Sequence, residues 1–216
     1  SAASASARSE PRENQMYQLL GAPASPFVRK VRVVLHETGQ ADQVEVLTVT
    51  TSPTEPAGEV TAAHALGKIP ALIRPEGCTL YDSRVITRYL DARAGGHLYP
   101  PSHIWETLTL EATGDGIMEA AVLMVYEGRC RPEDKQDHGW VDAQWGKIEN
   151  ALDALSARWM SHLAGPMDAG VISIGCALGY LDFRHPDGEW RKGRDALDDW
   201  FAVFAERDAM KATRPE

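Results

Sequence analysis

The sequence predicts a small mixed α/β domain followed by an all-helical domain. In the first half, short apolar strands and helical patterns follow one another in the order β-α-β and then β-β-α. This order is typical of a small mixed sheet with helices on its faces. After a stretch at residues 95–103 that contains Gly-Gly and Pro-Pro pairs, every apolar pattern has helical spacing. We therefore expect domains at residues 16–94 and 104–210, joined by a linker.

The first elements are a strand from Tyr17 to Leu20 and, after a loop, a helix that ends at Gly39. Ser25 stands at the N-cap position and Pro26 at the first helical position, where proline is tolerated. One apolar stripe at helical spacing marks the face that we expect to be buried: Val28, Val31, Val34 and Leu35. The basic residues of the same helix, Arg29, Lys30 and Arg32, fall on its other faces.

The rest of the first half predicts a strand at 44–49, a helical turn within 60–66, and strands at 71–73 and 79–81 on either side of a Glu76-Gly77 turn. A helix from about Ser83 to Arg93 closes this domain at Gly95-Gly96. The second half predicts helices over about 104–129, 133–162 and 168–184, the last capped by Asp168, and a final helix around residues 197–204. Gly175 and Gly179, four residues apart, would permit close contact between helices.

Composition excludes several classes of partner. The 216-residue chain has a net charge of −9, which argues against nucleic acid and against an anionic membrane surface. No apolar run approaches the roughly 20 residues of a membrane helix. Cys78, Cys130 and Cys176 show no metal-ligand spacing, so we predict no metal and a reducing, cytoplasmic location. Residues 1–15 lack the apolar core of a signal peptide and are interpreted as a disordered leader or an expression remnant.

Ser25 is the first candidate for chemistry, because it combines a hydroxyl with a helix N-terminus, where free N–H groups and the helix dipole favour an anion. The hydroxyl could donate a hydrogen bond to a bound thiolate. Lowering a thiol pKa from about 8.5 to about 6.5 needs about 2.7 kcal/mol. One hydrogen bond to a charged group supplies about 1.5–3 kcal/mol, and the helix end adds up to about 1 kcal/mol. Ordinary helix capping is the structural alternative.

Two further stretches are candidates for binding. Pro70 belongs at the first residue or edge of a strand, and an Ile69-Pro70 bond that is cis would leave the N–H and C=O of Ile69 free to pair with something peptide-like. A trans proline opening an edge strand is the alternative. Asp82-Ser83 begins a helix, where a hydroxyl and free amides would hold a carboxylate; capping is again the alternative.

Taken together, these stretches resemble the cytosolic glutathione transferases over about residues 16–210. The motifs are Ser25-Pro26-Phe27 continuing into Val28-Arg29-Lys30, then Gly67-Lys68-Ile69-Pro70, Asp82-Ser83, Gly114-Asp115-Gly116-Ile117-Met118, Val125-Tyr126-Glu127, Arg131-Pro132-Glu133 and a run from Gly175 to Arg184. The first helix is similar to that of a bacterial serine-type subgroup.

The resemblance implies a thioredoxin-like N-terminal domain, a helical C-terminal domain and a homodimer. It implies glutathione as co-substrate, with Ser25 as the catalytic residue. Ile69 before a cis Pro70 would pair with the cysteinyl backbone, Asp82 and Ser83 would hold the γ-glutamyl end, and Lys68 would either reach the glycyl carboxylate or remain solvated. The second-substrate pocket would draw on Asp115, Met118, Val122, Tyr126 and Arg129. For each of these five, core packing or an ion pair is the alternative.

We therefore expect a glutathione transferase that acts on a small hydrophobic electrophile. The rival is a non-catalytic regulatory or ligand-carrying protein of the same fold. Thiol exchange is disfavoured, because Ser25 and Val28 occupy the positions where redox relatives would carry sulfur. His64 stands where relatives often have asparagine, and we expect it to be a surface loop residue.

Overall fold

The computed structural model describes residues 16–215; the predicted leader at residues 1–15 lies outside them. Three strands form one sheet in the order β2-β1-β3: β1 Tyr17–Gly21, β2 Val44–Thr48 and β3 Ala71–Ile73. The pair β1 and β2 is parallel and the pair β1 and β3 is antiparallel, so the sheet is mixed as predicted. Its central residue Leu19 is fully buried and lies opposite Val46 on one side and Leu72 on the other.

Helices surround this sheet and make up the second half. The N-terminal helices are α1 Pro26–Glu37, α2 Gly58–Ala63 and α3 Ser83–Arg93. The C-terminal helices are α4 Ile104–Cys130, α5 His138–Arg158, α6 Met160–Leu163, α7 Ala169–Arg184, α8 Asp195–Ala205 and α9 Asp208–Ala212. The Asp168 carboxylate begins α7 as predicted, accepting a hydrogen bond from the main-chain N–H of Val171 at 2.8 Å.

Helix α1 is buried on two sides. Its predicted apolar stripe is confirmed, because all four members are at most 2% exposed. Two of its basic residues, Arg29 and Lys30, are also buried, at 7% and 1% exposure, although they stand outside that stripe. The reason is that α1 packs against α3 on one side and against α7 and α9 of the helical domain on the other.

Helices α4 and α7 make the closest helix pair, and two glycines permit it. A Cβ on Gly114 would lie 2.7 Å from a main-chain carbon of Ser173, and one on Gly170 would lie 2.7 Å from the main-chain oxygen of Thr107. Gly175 and Gly179 serve other neighbours, since the first faces the ring of Phe204 and the second faces the guanidinium of Arg29. Close helix contact at Gly175 and Gly179 is therefore confirmed, to α8 and α1, while Gly114 and Gly170 serve the contact between α4 and α7.

Two predicted elements are wrong in extent. No strand forms at 79–81; only Leu80 pairs, exchanging two main-chain hydrogen bonds with Leu72 before the chain turns into α3. The predicted helix over 133–162 starts later and is interrupted. It begins after Asp137, whose carboxylate accepts from the N–H of Trp140 at 3.0 Å, and it divides at Trp159 into α5 and α6.

Candidate functional site

Ser25 lies in the turn between β1 and α1. Its main-chain N–H donates to Ala22 at 3.0 Å, and its Oγ accepts from the N–H of Val28 at 3.3 Å, so the residue is the N-cap that the sequence predicts. The side chain is half-buried. Within residues 16–215 its hydroxyl hydrogen has no acceptor, so it remains available to a ligand.

The Ile69-Pro70 bond is cis, as predicted. Ile69 is half-buried and Pro70 is buried at the start of β3. Among the described residues, neither the N–H nor the C=O of Ile69 has a main-chain partner. Lys68 is exposed and makes no ion pair with any described residue. The turn therefore presents one donor and one acceptor from the main chain, with a solvated cation beside them.

Asp82 and Ser83 begin α3. The Asp82 carboxylate caps the helix through the N–H of Arg84 at 3.0 Å and pairs with the Arg84 guanidinium at 2.9 Å. Burial raises the pKa of Asp82, but the hydrogen bond and charge of Arg84 outweigh burial and hold that pKa below its usual value. Ser83 is 3% exposed, and its hydroxyl has no hydrogen-bond partner in the described part of the chain. Asp82 is therefore the N-cap of α3, and among the described residues the Ser83 hydroxyl is left unpaired.

A buried charge cluster lies behind this helix start. Lys30 Nζ contacts both carboxylate oxygens of Asp115, at 2.7 and 2.9 Å, and Glu111 at 3.3 Å. Arg84 Nε lies 3.7 Å from Asp115 and so links Asp82 to the cluster. The cluster joins α1 and α3 of the first domain to α4 of the second.

The five residues predicted for a second-substrate pocket do not share one accessible face. Asp115 is 6% exposed in its ion pair with Lys30, and Met118 is fully buried in the core. The structure thus places these two in the roles of the packing and ion-pair alternative. Val122 is half-buried, while Tyr126 and Arg129 are exposed near the end of α4.

Tyr180 and Arg184 of α7 lie close to that end of α4. Burial raises the pKa of Tyr180. The nearby charges of Arg184 and Arg129 lower that pKa, whereas Tyr126 raises it. The neighbourhood of Tyr126 and Arg129 therefore contains two tyrosines and two arginines. Sequence spacing gave no signal for this grouping, because the two helices approach each other only in the folded chain.

His64 is not a surface residue, which corrects the prediction. It is 3% exposed, its ring stacks on Tyr81 with centroids 3.9 Å apart, and its Nδ1 accepts from the N–H of Leu66 at 3.0 Å. Burial lowers the pKa of His64, and the charge of Lys68 lowers it further. The residue thus fixes the loop that leads into Ile69.

Across residues 16–215, no group of three or more His, Cys, Asp or Glu side chains is placed to hold a metal ion. No helix in the described chain is long and apolar enough to cross a membrane.

Comparison with known proteins decides the family. Residues 19–98 match the model of the glutathione S-transferase N-terminal domain, and residues 139–202 match that of the C-terminal domain. The uncharacterized GST-like protein YibF of Escherichia coli K12 is 30% identical over 203 residues, which are 92% of this chain and 98% of that protein. The chain belongs to the glutathione S-transferase family.

Solved structures of glutathione transferase family members agree. One from Pseudomonas fluorescens Pf-5, with bound glutathione, is 47% identical with a TM-score of 0.90, and the match covers 93% of this chain and 99% of that one. A second structure from the same organism holds S-(propanoic acid)-glutathione, at 47% identity and a TM-score of 0.86 over 93% of this chain and all of that one. One from Methylobacillus flagellatus KT, with glutathione bound, is 36% identical with a TM-score of 0.79, over 93% of this chain and 100% of that one. The predicted thioredoxin-like domain followed by a helical domain is thereby confirmed.

Proposed function

We propose that this glutathione S-transferase family member is a serine-type glutathione transferase, in which Ser25 activates the thiolate of glutathione for attack on a small hydrophobic electrophile. The observation that carries the proposal is the Ser25 hydroxyl. It stands at the N-terminus of the 12-residue helix α1, and its hydrogen has no acceptor within residues 16–215. A thiolate placed there would receive that hydrogen bond and the favourable field of the helix end.

Polar groups at the cis-proline turn and at the start of α3 suit the different parts of a glutathione molecule. The N–H and C=O of Ile69, set by the cis bond before Pro70, would pair with the cysteinyl main chain. The Asp82 carboxylate would receive the γ-glutamyl amine, and the Ser83 hydroxyl with the N-terminus of α3 would hold the γ-glutamyl carboxylate. Lys68, exposed beside Ile69, would reach the glycyl carboxylate.

The chemistry then belongs to glutathione, and the protein supplies orientation and electrostatic stabilisation. The thiolate attacks the electrophilic carbon, a C–S bond forms, and either a leaving group departs or a double bond takes up a proton from solvent. Serine cannot form a mixed disulfide, which separates this activity from thiol exchange. Its role is to keep the thiol ionised at neutral pH.

The electrophile would bind against the part of α4 that continues beyond Asp115. Val122, Tyr126 and Arg129 lie on that stretch, and Asp115 and Met118 would support it from within the core. Arg129 and Arg184 near that stretch would also accept a small electrophile that carries one acid group. One candidate is acrylate. Its addition to the thiolate would give a carboxyethyl conjugate of glutathione, which resembles the S-(propanoic acid)-glutathione bound in the second Pseudomonas fluorescens structure.

The test combines calorimetry with turnover. Glutathione should bind the wild type at pH 7 with a dissociation constant between micromolar and low millimolar. Ser25→Ala should keep that affinity within a few-fold, but the pKa of the bound thiol should rise from about 6.5 toward about 8.5, which lowers the thiolate fraction about 50-fold at pH 6.5. Turnover of an aryl chloride or acrylate should fall in proportion.

Ser25→Thr is the matched control, because it keeps a hydroxyl and the N-cap. It should retain most of the turnover and the lower thiol pKa. Unchanged turnover in Ser25→Ala would remove Ser25 from the mechanism. Binding of glutathione without turnover of any electrophile would instead support the alternative of a non-catalytic carrier or regulatory protein.

We also infer that the protein acts as a homodimer in the cytoplasm. Val85 on α3 is 46% exposed and Trp105 on α4 is 75% exposed, which leaves apolar surface for a second copy. The three cysteines, Cys78, Cys130 and Cys176, are free thiols, which fits a reducing compartment. Sedimentation equilibrium should give twice the chain mass; a monomer at micromolar concentration would contradict the dimer.

A further inference from the structure

A cavity of about 310 Å³ lies where α1, the edge strand β2 and the C-terminal helix α9 meet. Residues 21–23 of the β1–α1 turn close one end. Val28 and Val46 provide apolar wall, and Thr48 adds a hydroxyl. The volume is at the lower end of the range of about 300–1,000 Å³ that is typical of small-molecule sites. A ligand of modest size would fill it.

Three cations line this cavity: Arg32, Lys211 and Arg214. Lys211 is paired with Glu206 at 2.8 Å. In the described part of the chain, neither Arg32 nor Arg214 has a carboxylate within 4.0 Å, and Arg32 makes only a hydrogen bond to the main-chain oxygen of Ala212 at 3.2 Å. Two unneutralised guanidinium groups around one cavity are notable in a chain whose net charge is −9.

A third arginine adds to the same positive field. Arg29 is 7% exposed, has no carboxylate partner among residues 16–215, and its buried Nε donates to no atom there. Burial lowers the pKa of Arg29, and the charges of Arg214 and Arg32 lower it further, whereas Cys176 and Asp182 oppose the shift. The repulsion among these three groups is a cost that a bound anion would relieve.

We propose that this cavity is a binding site for a small organic carboxylate, with Arg32 and Arg214 holding the carboxylate and Val46, which is 41% exposed, contacting the apolar part. Arginine suits a carboxylate because its N–H groups form paired hydrogen bonds to both oxygens. The volume and the exposed side chain of Val46 leave room for a compact hydrocarbon group, such as a phenyl ring, beside the carboxylate.

The site is distinct from the one proposed for glutathione. None of Ser25, Ile69, Asp82 and Ser83 lines the cavity. The two sites meet at the β1–α1 turn and the first turn of α1. Ala22, in the cavity wall, accepts the hydrogen bond from the Ser25 main chain, and Val28, also in the wall, donates its N–H to Ser25 Oγ. A carboxylate and glutathione should therefore bind at the same time. The inference stands whether or not the protein proves to be catalytic.

The test is calorimetric titration of the full chain with sodium benzoate, with and without saturating glutathione. We expect binding in both conditions, with dissociation constants that agree within about two-fold. The variant R32Q/R214Q should weaken benzoate at least ten-fold and leave glutathione affinity within two-fold. The control R158Q/K192Q removes two exposed charges outside the cavity and should bind benzoate as the wild type does.

A second variant tests the cavity without altering charge. Val46→Trp places a large side chain on the wall of the cavity, on an exposed position of the edge strand, and should abolish benzoate binding while the circular dichroism spectrum stays native. Any one of four results would overturn the proposal. Three of them are equal binding of neutral benzamide, equal binding of inorganic phosphate, and loss of benzoate binding when glutathione is saturating. Full benzoate affinity in both R32Q/R214Q and Val46→Trp would do the same.

Discussion

His64 shows at the scale of one residue how a protonation state is built into the loop before Ile69. The acceptor role of Nδ1 toward Leu66 requires that nitrogen to be unprotonated, and burial lowers the ring pKa. The folded pKa is below the unfolded value of about 6.5. The unfolded chain therefore takes up the proton first as the pH falls. The contribution of His64 to stability is present above about pH 6.5 and is lost as the pH falls toward its folded pKa.

We predict that His64→Asn reduces this loss. The asparagine side-chain oxygen can accept the same hydrogen bond and does not titrate. Between pH 6.5 and the folded pKa, the free energy of unfolding of the wild type should decrease by up to about 1.4 kcal/mol per pH unit on account of His64. The variant should show a shallower slope, measured by urea unfolding at half-unit steps from pH 7.5 to 5.5.

His97→Asn is the control, because His97 is exposed. It should keep the slope of the wild type. If His64→Asn keeps that slope as well, His64 does not titrate in the predicted range, and the loss of stability in acid must come from another group. His185 is the next one to replace, since burial also lowers its pKa, although a hydrogen bond to the main-chain oxygen of Ala121 opposes the shift.

Residues whose role depends on local sequence were predictable, and those whose role depends on tertiary contact were not. Ser25 and Asp82 were found because capping and turn signals extend over only a few residues. Lys30 lies outside the apolar stripe of its helix, so the pattern alone gave no sign that it would be buried. Its burial needs a second layer of helices with two carboxylates opposite, and these stand more than 80 residues away.

At the scale of an element, α4 depends on one glycine. A Cβ on Gly114 would lie 2.5 Å from Ser173 Oγ, 2.7 Å from a main-chain carbon of Ser173 and 2.9 Å from the main-chain nitrogen of Ile174. Main-chain atoms of a buried helix cannot move aside cheaply. Gly116, two residues further along α4, has no atom within 4 Å of its ideal Cβ position.

We predict opposite effects for the same substitution at these two positions. Gly114→Ala should destabilise the fold by about 1–3 kcal/mol through overpacking, while Gly116→Ala should stabilise it by up to about 1 kcal/mol through helix propensity. Thermal unfolding followed at 222 nm measures both. Equal shifts in the two variants would mean that α4 and α7 are further apart than the structure places them.

Helices and strands were predictable from the sequence wherever one apolar spacing extended over the whole element. The long helix α4 and the stripe of α1 were predicted nearly residue by residue, because apolar spacing extends over several turns. The strand at 79–81 was wrong because only Leu80 reaches a partner, and a short apolar run does not show whether its neighbours will find partners in the sheet. Which helix each glycine faces depends on how the helices are rotated about their axes, so the spacing of Gly175 and Gly179 did not specify their partners.

At the scale of the whole molecule, the two halves share one hydrophobic core. It runs from Leu19 in the sheet through α1 to Leu178 in α7 and Phe201 in α8. The buried cluster of Lys30 with Asp115 and Glu111 crosses the same boundary. Because α1 is covered from both sides, removing one half would expose the other half's apolar surface. We therefore expect the chain to unfold in a single transition.

Lys30→Met tests how strongly the two halves are coupled. The substitution keeps an unbranched side chain but removes the buried cation of Asp115 and Glu111, leaving only the exposed Arg84 at 3.7 Å from Asp115, which should cost about 3–5 kcal/mol of unfolding free energy. Arg207→Gln breaks a different ion pair between the halves, to Glu37 at 2.7 Å, which is partly exposed and should cost less than about 1 kcal/mol. In both variants calorimetry should still show one peak, since the shared core is intact. A second peak in Lys30→Met would mean that the charge cluster rather than the core couples the halves. An equal loss in the two variants would mean that burial adds nothing to the Lys30 ion pair.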